Sequence, residues 1–448
     1  MSLLQAGFGR ANVTPMLGIP IAGYFKPRYA DGVLDELEVN ALAVACGDEK
    51  VVLMTIDNCG IRRAVLDPVR QQIAQVTGVP YEAVFIHSTH THTAPTVEPT
   101  STDPLVAEYI TFISHKMVDA ARAALEDLKP AKMGYAVGNA PDIAFVRRFR
   151  MKDGSIRTNP GVNNPDILEP LGDVDERVNV LRFHREAGDD LVLVNFGDHP
   201  DTVGGCKISG DWPGFTRRTL ERAIEGTKCI FFNGAQGDVN HVKVFPKPGD
   251  LNDMFMDFDD VSRGYGHARH MGNVVAGAVM QVYDKVAYTD VDSIRYQQKT
   301  IQVPSNMPRP EDMAEARRIH ELHIAGKDEE IPYKGMMLTT VVAEAGRMVR
   351  LEHGPEAFPM ILSGVAIGNI ALCGIPGEPF TGVGRAIKEA PGWDLVLPTC
   401  NTNAKEGYFP MRDAYDEGGY EARSSNFAPG VAELIIKESI DMLQSLRN

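Results

Sequence analysis

The distribution of hydrophobic and polar residues predicts short strands that alternate with helices. Runs of Val, Ile, Leu and Phe bounded by Gly, Asp or Pro are typical of buried strands, whereas apolar residues every three or four positions indicate helices. The runs that predict strands are 41–45, 51–56, 83–86, 178–183, 191–196, 229–232, 359–367, 370–375 and 395–398. Helical patterns cover 64–76, 104–128, 213–224, 264–282, 309–321, 341–350, 380–388 and a terminal segment.

Turn residues between these elements indicate the fold class. Gly47-Asp48-Glu49-Lys50 and Gly368-Asn369 each separate two strand-like runs and predict hairpins. Hairpins mixed with helical crossovers predict a mixed α/β (α+β) fold with mixed sheets and flanking helices, and not a repeat or a bundle. We expect one large catalytic domain over residues 1–448, divisible into sub-halves 1–290 and 291–448. Residues 140–175, rich in Asn, Pro, Asp and Gly, predict a long surface loop.

Composition narrows the classes of partner. The formal charge of -15 and the pI of about 5.3 argue against nucleic acid and anionic membranes, which both favour clustered Lys and Arg. No apolar run approaches the roughly twenty residues of a membrane span. The six cysteines are too widely spaced for a Cys-x-x-Cys site or a disulfide framework, and the N-terminus does not resemble a signal peptide. We therefore expect reduced thiols, a cytoplasmic protein and a small-molecule substrate.

A histidine pair follows the predicted strand 83–86 and is the strongest chemical motif. On an extended chain, residues two apart point the same way, so His90 and His92 can face one site. Neutral imidazoles are good zinc ligands, and this favours a metal or catalytic role over a simple hydrogen-bonded pair. His87 alone is better explained as a structural residue. Thr93 and Ala94 follow the pair where the metallo-β-lactamase pattern has Asp and His, which argues against that family.

Other polar residues occur at strand ends or in irregular loops. Asp211 begins a helical pattern, so it is either a helix cap or a support for the site. The Gly-rich segment 232–240 allows close approach of the backbone to a substrate but lacks a phosphate-loop ending. The other polar residues at strand ends or in loops are His199, Glu378, Tyr408 and Tyr420. Glu378 stands at a predicted helix start, where a carboxylate can simply favour the helix dipole, and loop tyrosines usually pack through their rings.

Taken in chain order, these segments resemble the neutral (non-lysosomal) ceramidase family. The family's Thr-His-Thr-His-Ser-Gly-Pro stretch resembles the segment from Thr89 to Pro95, and five such matches span nearly the whole chain. The others are Gly9-Arg10-Ala11-Asn12-Val13-Thr14-Pro15, His199-Pro200 with Ser209-Gly210-Asp211, Pro376-Gly377-Glu378, and Asn403 and Tyr408 with Tyr420-Glu421-Ala422.

The resemblance implies a ceramidase-like catalytic domain that uses zinc to hydrolyse an amide-type bond. A water or hydroxide would be the nucleophile, and two imidazoles with a carboxylate leave the metal positive enough to acidify that water. His92 and Tyr420 would contact the substrate carbonyl and stabilise the oxyanion. The implied zinc ligands are His90, His199, Glu378 and Tyr408.

The departures from the family pattern change the expected chemistry. Asn240 stands where the family has a serine tied to activity, and an amide cannot be a nucleophile, which favours attack by metal-activated water. Ala94-Pro95-Thr96-Val97 replaces Gly-Pro-Gly-Gly and predicts a reshaped pocket. The sequence also ends without the family's immunoglobulin-like domain. We therefore expect a small soluble amide, ester or lactone as substrate in preference to a sphingolipid.

These observations define the candidate site and leave one alternative. The candidate catalytic residues are His92, Tyr420 and Asn240, and the candidate substrate-binding residues are Arg147, Arg148 and Asp211. The alternative is a non-catalytic metal- or ligand-binding protein that retains the ceramidase-like fold. An amidohydrolase-type barrel is disfavoured because regular βα units are lacking.

Overall fold

The computed structural model describes residues 4–250 and 264–447 of the chain. The strands of the first half are β1 (Leu4–Asn12), β2 (Gly32–Val33), β3 (Glu38–Cys46), β4 (Glu49–Ile56), β5 (Val84–Ser88), β6 (Lys129–Asn139), β7 (Phe145–Val146), β8 (Arg148–Met151), β9 (Ile156–Thr158), β10 (Ile167–Pro170), β11 (Arg177–Arg185) and β12 (Asp190–Phe196). They are followed by β13 (Lys207–Ile208), β14 (Thr227–Asn233), β15 (Val239–Asn240), β16 (Ala287–Thr289), β17 (Ile294–Pro304), β18 (Ala357–Ile367), β19 (Ile370–Gly374), β20 (Glu378–Pro379), β21 (Leu395–Thr399) and β22 (Tyr408–Phe409).

The helices of the described residues flank these strands. They are α1 (Arg63–Thr77), α2 (Pro104–Glu126), α3 (Asp211–Ala223), α4 (Tyr265–Val282), α5 (Met313–Ile324), α6 (Gly335–Leu351), α7 (Thr381–Lys388), α8 (Arg412–Glu417), α9 (Tyr420–Ser424) and α10 (Val431–Ser445). Within residues 4–250 and 264–447, no helix is both long and apolar enough to cross a membrane.

A nine-stranded mixed sheet occupies the first half of the chain. Its order is β14-β12-β11-β6-β1-β3-β4-β5, and β16 adds to β6. The pairs β12–β14 and β4–β5 are parallel, whereas β1, β3, β4, β6 and β11 pair antiparallel with one another. Strand β3 is buried over 39–45 and reads Val-Asn-Ala-Leu-Ala-Val-Ala, the near-continuous apolar run expected of a strand covered on both faces.

A second sheet of four strands occupies the second half, in the order β17-β18-β19-β21. One face of this sheet packs with residues of α7 and α10, and residues of the other face, such as Val365 and Leu372, belong to the core of the large sheet. Strands β17 and β18 are antiparallel and pair continuously from Ile294–Ile367 to Pro304–Ala357. Residues 305–356, which carry α5 and α6, are therefore an insertion between the two strands of one hairpin. The insertion has a small apolar core of its own.

Most predicted elements are confirmed, and the structure differs from the prediction in three places. The predicted surface loop 140–175 contains the three-stranded sheet β10-β8-β9, whose Phe149 and Met151 are buried. Strands β6 and β17 were not predicted, because both mix apolar residues with many Lys, Gln or Gly and are only partly buried. The helix predicted over 341–350 begins earlier, at Gly335. The predicted mixed α/β fold class is confirmed.

Candidate metal centre and its cavity

The candidate centre lies where the ends of strands from both sheets meet. His90 follows β5, and His199 follows β12, so the large sheet contributes both imidazoles. Glu378 begins β20 just after β19 of the second sheet, and it pairs with Tyr408 of β22. Backbone bonds join the sheets behind the centre: Asn403 N–H donates to the Ile86 carbonyl. Residues far apart in sequence are thus brought together by strand pairing.

Three ligand-type atoms converge at this point. His90 Nε2 lies 3.2 Å from His199 Nε2 and 3.2 Å from Glu378 Oε2, and His199 Nε2 lies 4.0 Å from the same oxygen. All three side chains are buried. Ligands bound to zinc at 2.0–2.1 Å in tetrahedral geometry would be about 3.3 Å apart. The distances between the three atoms therefore fit a zinc site.

Backbone carbonyls fix the orientation of both imidazoles. Nδ1 of His90 lies 2.5 Å from the carbonyl oxygen of Cys59, and Nδ1 of His199 lies 3.3 Å from that of Gln236. A carbonyl oxygen only accepts, so a proton on Nδ1 of each neutral ring would satisfy these carbonyls and leave the Nε2 lone pair facing the centre. A cation between the two lone pairs and the carboxylate would stabilise that arrangement. This donor set suits zinc.

The pKa values of the cluster also indicate that a positive charge is favoured beside Glu378. Burial lowers the pKa of His90, but the Glu378 carboxylate outweighs burial and raises that pKa to about 10. Burial raises the pKa of Glu378, yet His90 holds it well below its ordinary value. Burial, together with Arg147, lowers the pKa of His199 well below its usual range. Without a metal, the protonated His90 ring therefore supplies the positive charge beside Glu378, while the carboxylate stays charged and His199 stays neutral. A bound cation would take the place of the His90 proton.

His92 lies beside the three ligand-type side chains. Its Nε2 is 3.3 Å from Nε2 of His90, and burial lowers its pKa to about 3, so the ring is neutral near pH 7. The loop that carries Gly23 packs against the His92 ring, and a Cβ added at Gly23 would lie 2.6 Å from His92 Nδ1. The φ of Gly23 is +100°. His90 itself has a φ of 76°, a left-handed conformation that is uncommon for residues other than glycine. Backbone strain of this kind concentrates at functional sites.

A cavity of about 310 Å³ opens onto the cluster. Tyr408 and Tyr420 form part of its wall, with ring centroids 5.6 Å apart, and both lie next to Arg147. Burial and Glu378 raise the pKa of Tyr408 well above its ordinary value, so its hydroxyl is protonated unless a metal acidifies it. Burial also raises the pKa of Tyr420, which is therefore a hydrogen-bond donor. The apolar part of the wall consists of Phe25, Met336, Leu338 and Val342.

Arg147 and Arg148 occupy different places. Arg147 lines the cavity, donates to Glu421 Oε1 at 2.7 Å and donates to the Gly237 carbonyl at 2.7 Å. Arg148 turns away, donates to Glu417 and lines a separate groove. Arg148 therefore does not line this cavity, and its contact with a substrate stays a prediction. Adjacent residues on an extended chain point to opposite faces, which explains why the two side chains line different pockets.

Asp211 and Asn240 lie outside the cavity wall. Helix α3 begins at Asp211 itself and Gly210 is the N-cap, so the predicted cap is displaced by one residue. The Asp211 carboxylate accepts the N–H groups of Thr202, Val203 and Trp212, and so it holds the loop after His199 rather than a substrate. Asn240 donates to the Asn159 side chain at 2.9 Å, and Asn159 is the one that lines the cavity. The structure therefore places neither residue among the groups that face the cluster.

Several residues at the site were not predicted. Burial raises the pKa of the Cys59 thiol, but Lys405, with Nζ 3.4 Å from Sγ, and the neighbouring histidines outweigh burial and bring that pKa to about 5. Cys59 also forms a second possible ligand group with His90 and His92. The buried Glu421 lies within the quoted Tyr-Glu-Ala match, which could have indicated it. For Cys59 and Lys405 the sequence offers no motif.

The two sheets with a histidine–carboxylate cluster at their junction have the architecture of neutral ceramidases. The structure matches neutral ceramidase from Pseudomonas aeruginosa with a TM-score of 0.76 and 18% identity, over 100% of this chain and 75% of that chain. A ceramidase complexed with C2 matches with a TM-score of 0.74 and 18% identity, over 100% of this chain and 76% of that one. No family model and no curated protein matches the sequence. The predicted resemblance is confirmed as a shared fold.

Proposed function

We propose that the protein is a zinc-dependent hydrolase that cleaves an amide-type bond, or an ester or lactone, in a small soluble substrate. The convergence of His90, His199 and Glu378 at the end of a cavity carries this proposal. The fold shared with ceramidases supports it. Zinc at the cluster would acidify a water and polarise the substrate carbonyl.

The surrounding side chains have the chemistry that attack on a carbonyl needs. His92 is neutral, and its ring stands beside the cluster where it can donate to the oxygen that becomes negative. The Tyr420 hydroxyl is a second donor. Arg147 adds a positive charge, and its ion pair with Glu421 holds the guanidinium in place. Tyr408 remains the predicted fourth zinc ligand because β22 holds it next to Glu378.

Water is the favoured nucleophile. Of the described residues that line the cavity, none is serine or cysteine. Asn240 carries an amide at the position of the family's serine and is held against Asn159. An acyl-enzyme formed on that residue is therefore not part of the proposal.

Elemental analysis and turnover, measured on the same samples, test the proposal. We expect about one zinc per chain in wild type, loss of zinc and activity in His90→Ala and Glu378→Ala, and retained zinc with slower turnover in Tyr420→Phe. His184→Ala is the matched control, because His184 is half-exposed on β11 beside Asp190 and away from the cluster. Substrates should span N-acyl, ester and lactone compounds. Full turnover after zinc is stripped would contradict the proposal.

The second candidate is a metal- or ligand-binding protein without catalysis. The replacement of the serine by Asn240 favours it, since the amide removes one route to catalysis. Turnover that depends on Glu378 would exclude this candidate. Zinc binding with no turnover across the substrate panel would favour it.

A further inference from the structure

The helical insertion 305–356 forms one side of the cavity. Its ends are closed by the last pair of the β17–β18 ladder, Pro304 with Ala357. Between them α5 and α6 pack on each other around a small core of their own. The insertion is thus a separate piece of structure whose placement over the cavity depends on a limited set of contacts.

Those contacts tie the insertion to the helix that carries Tyr420. Arg347 on α6 donates from Nε to the Arg423 carbonyl at 2.9 Å, and Asn306 at the start of the insertion donates from Nδ2 to the Ser425 carbonyl at 3.1 Å. Arg423 in turn pairs with Glu344 on α6, with Nε 2.9 Å from Oε2. Because α9 (Tyr420–Ser424) includes both Arg423 and Tyr420, the insertion is fixed relative to the candidate oxyanion donor.

The start of α6 supplies the apolar surface of the cavity. Met336, Leu338, Thr339 and Val342 all line it, and their spacing places them on one side of the helix. Phe25, from the loop that holds His92, lies on the same cavity, with its ring 6.3 Å from that of Tyr420. A short hydrocarbon that enters from the cluster meets these side chains first.

We propose, on the basis of the hydrolase function proposed above, that Met336, Leu338 and Val342 make the site prefer a substrate with a single short acyl chain. The volume of the cavity bounds the part of the chain that these side chains can enclose. At about 30 Å³ per non-hydrogen atom, 310 Å³ holds roughly ten such atoms. A hexanoyl or octanoyl group with its scissile bond fits this space, whereas a lauroyl or palmitoyl group would extend beyond it and bury no further apolar surface there. Small ligand pockets begin at about this volume.

Binding of alkyl hydroxamates to the zinc-loaded protein tests the restriction without turnover. The series runs from acetohydroxamate to laurohydroxamate, and calorimetry gives the Kd of each member. For wild type we expect the tightest binding at hexanoyl or octanoyl. The double variant Met336→Ala with Leu338→Ala should move the optimum to lauroyl, with the Kd ratio of lauroyl to hexanoyl changing about tenfold. Thr339→Phe should move the chain-length optimum towards acetyl.

Met348→Ala is the matched control. Met348 lies on the same helix and packs in the insertion's own core, but it does not line the cavity. We expect it to leave the chain-length optimum unchanged even where stability falls. The kcat/KM profile of N-acyl anilides of the same chain lengths should follow the hydroxamate profile in every variant.

Two results would overturn the inference in distinguishable ways. If acetohydroxamate binds the zinc protein and anilides are hydrolysed, but chain length has no optimum or the α6 variants do not move it, the restriction is wrong and the hydrolase stands. If the protein takes up no zinc and neither binds hydroxamates nor hydrolyses anilides, the proposed function fails, and the inference fails with it.

Discussion

Replacement of Arg147 by Met separates the structural role of this side chain from its role in the cavity. The change removes the partner that donates to Glu421 at 2.7 Å and leaves a fully buried carboxylate. Thr158 still donates to that carboxylate at 2.8 Å, and Arg148 remains 4.0 Å away. Breaking a buried ion pair costs about 3–5 kcal/mol, and these two remaining contacts favour the lower end of that range.

The double variant Arg147→Met with Glu421→Gln removes both charges. The remaining cost is the donor lost by the Gly237 carbonyl, about 1 kcal/mol. We therefore expect the free energy of unfolding to fall by about 3 kcal/mol in the single variant and to recover by about 2 kcal/mol in the double variant. Turnover should be lowered in both variants, and it should not recover with stability in the double variant. Both variants lack the guanidinium beside Tyr408 and His199.

Urea denaturation at neutral pH, followed by far-ultraviolet circular dichroism, gives the stabilities, and zinc analysis shows that the centre is intact. Arg150→Met is the control: Arg150 pairs with Glu169 at the surface, where such a pair contributes under about 1 kcal/mol. A double variant no more stable than Arg147→Met would refute the account of a buried pair. Recovery of turnover with stability would show that Arg147 acts only through folding.

Two further changes test the fold and the site. Burial raises the pKa of Asp175, but Arg177 and Lys388 outweigh burial and hold that pKa below its ordinary value. Because the folded pKa lies below the unfolded one, the carboxylate stabilises the fold above the unfolded pKa of about 4, and this stability is lost as pH falls further. Asp175→Asn should therefore unfold more easily than wild type at pH 7, while unfolding curves of the two proteins should converge in acid; a gap that persists there would contradict the assignment. Gly23→Ala should retain zinc and lower kcat about tenfold, because the added Cβ meets the His92 ring and even a small displacement of an aligned donor slows the chemistry. Unchanged kcat would show that His92 tolerates displacement, and loss of zinc would show that the change reaches the ligands.

The sequence predicted those parts of the fold that depend on local patterns. The hairpin of β3 and β4 follows from two apolar runs around a Gly-Asp turn, and α2 begins at Pro104 as expected. Strand β17 was not predicted because its apolar residues are interrupted by Gln, Lys and Thr. Its partner β18 follows only after the 305–356 insertion. Local patterning carries no information about such a partner.

The candidate site divides in the same way. His90, His199 and Glu378 were grouped from ordered motifs, and the structure brings their ligand atoms together. The supporting contacts were not predictable, because the groups that orient the imidazoles are backbone carbonyls of Cys59 and Gln236, whose side chains are irrelevant to that role. The sequence did not indicate that Arg147 and Arg148 would line different pockets, because that follows from the extended backbone and from partners such as Glu417.

The origin of the three candidate ligands in two sheets has a consequence for biosynthesis. His90 and His199 leave the large sheet, and Glu378 arrives from the second sheet, whose strands begin near residue 294. A chain that has made only its first sheet presents His90 and His199 without Glu378, so this group of candidate ligands is incomplete. On the proposed function, hydrolytic competence would therefore arise late, once the second sheet has docked. The nascent chain would in this way be kept from premature, unselective chemistry.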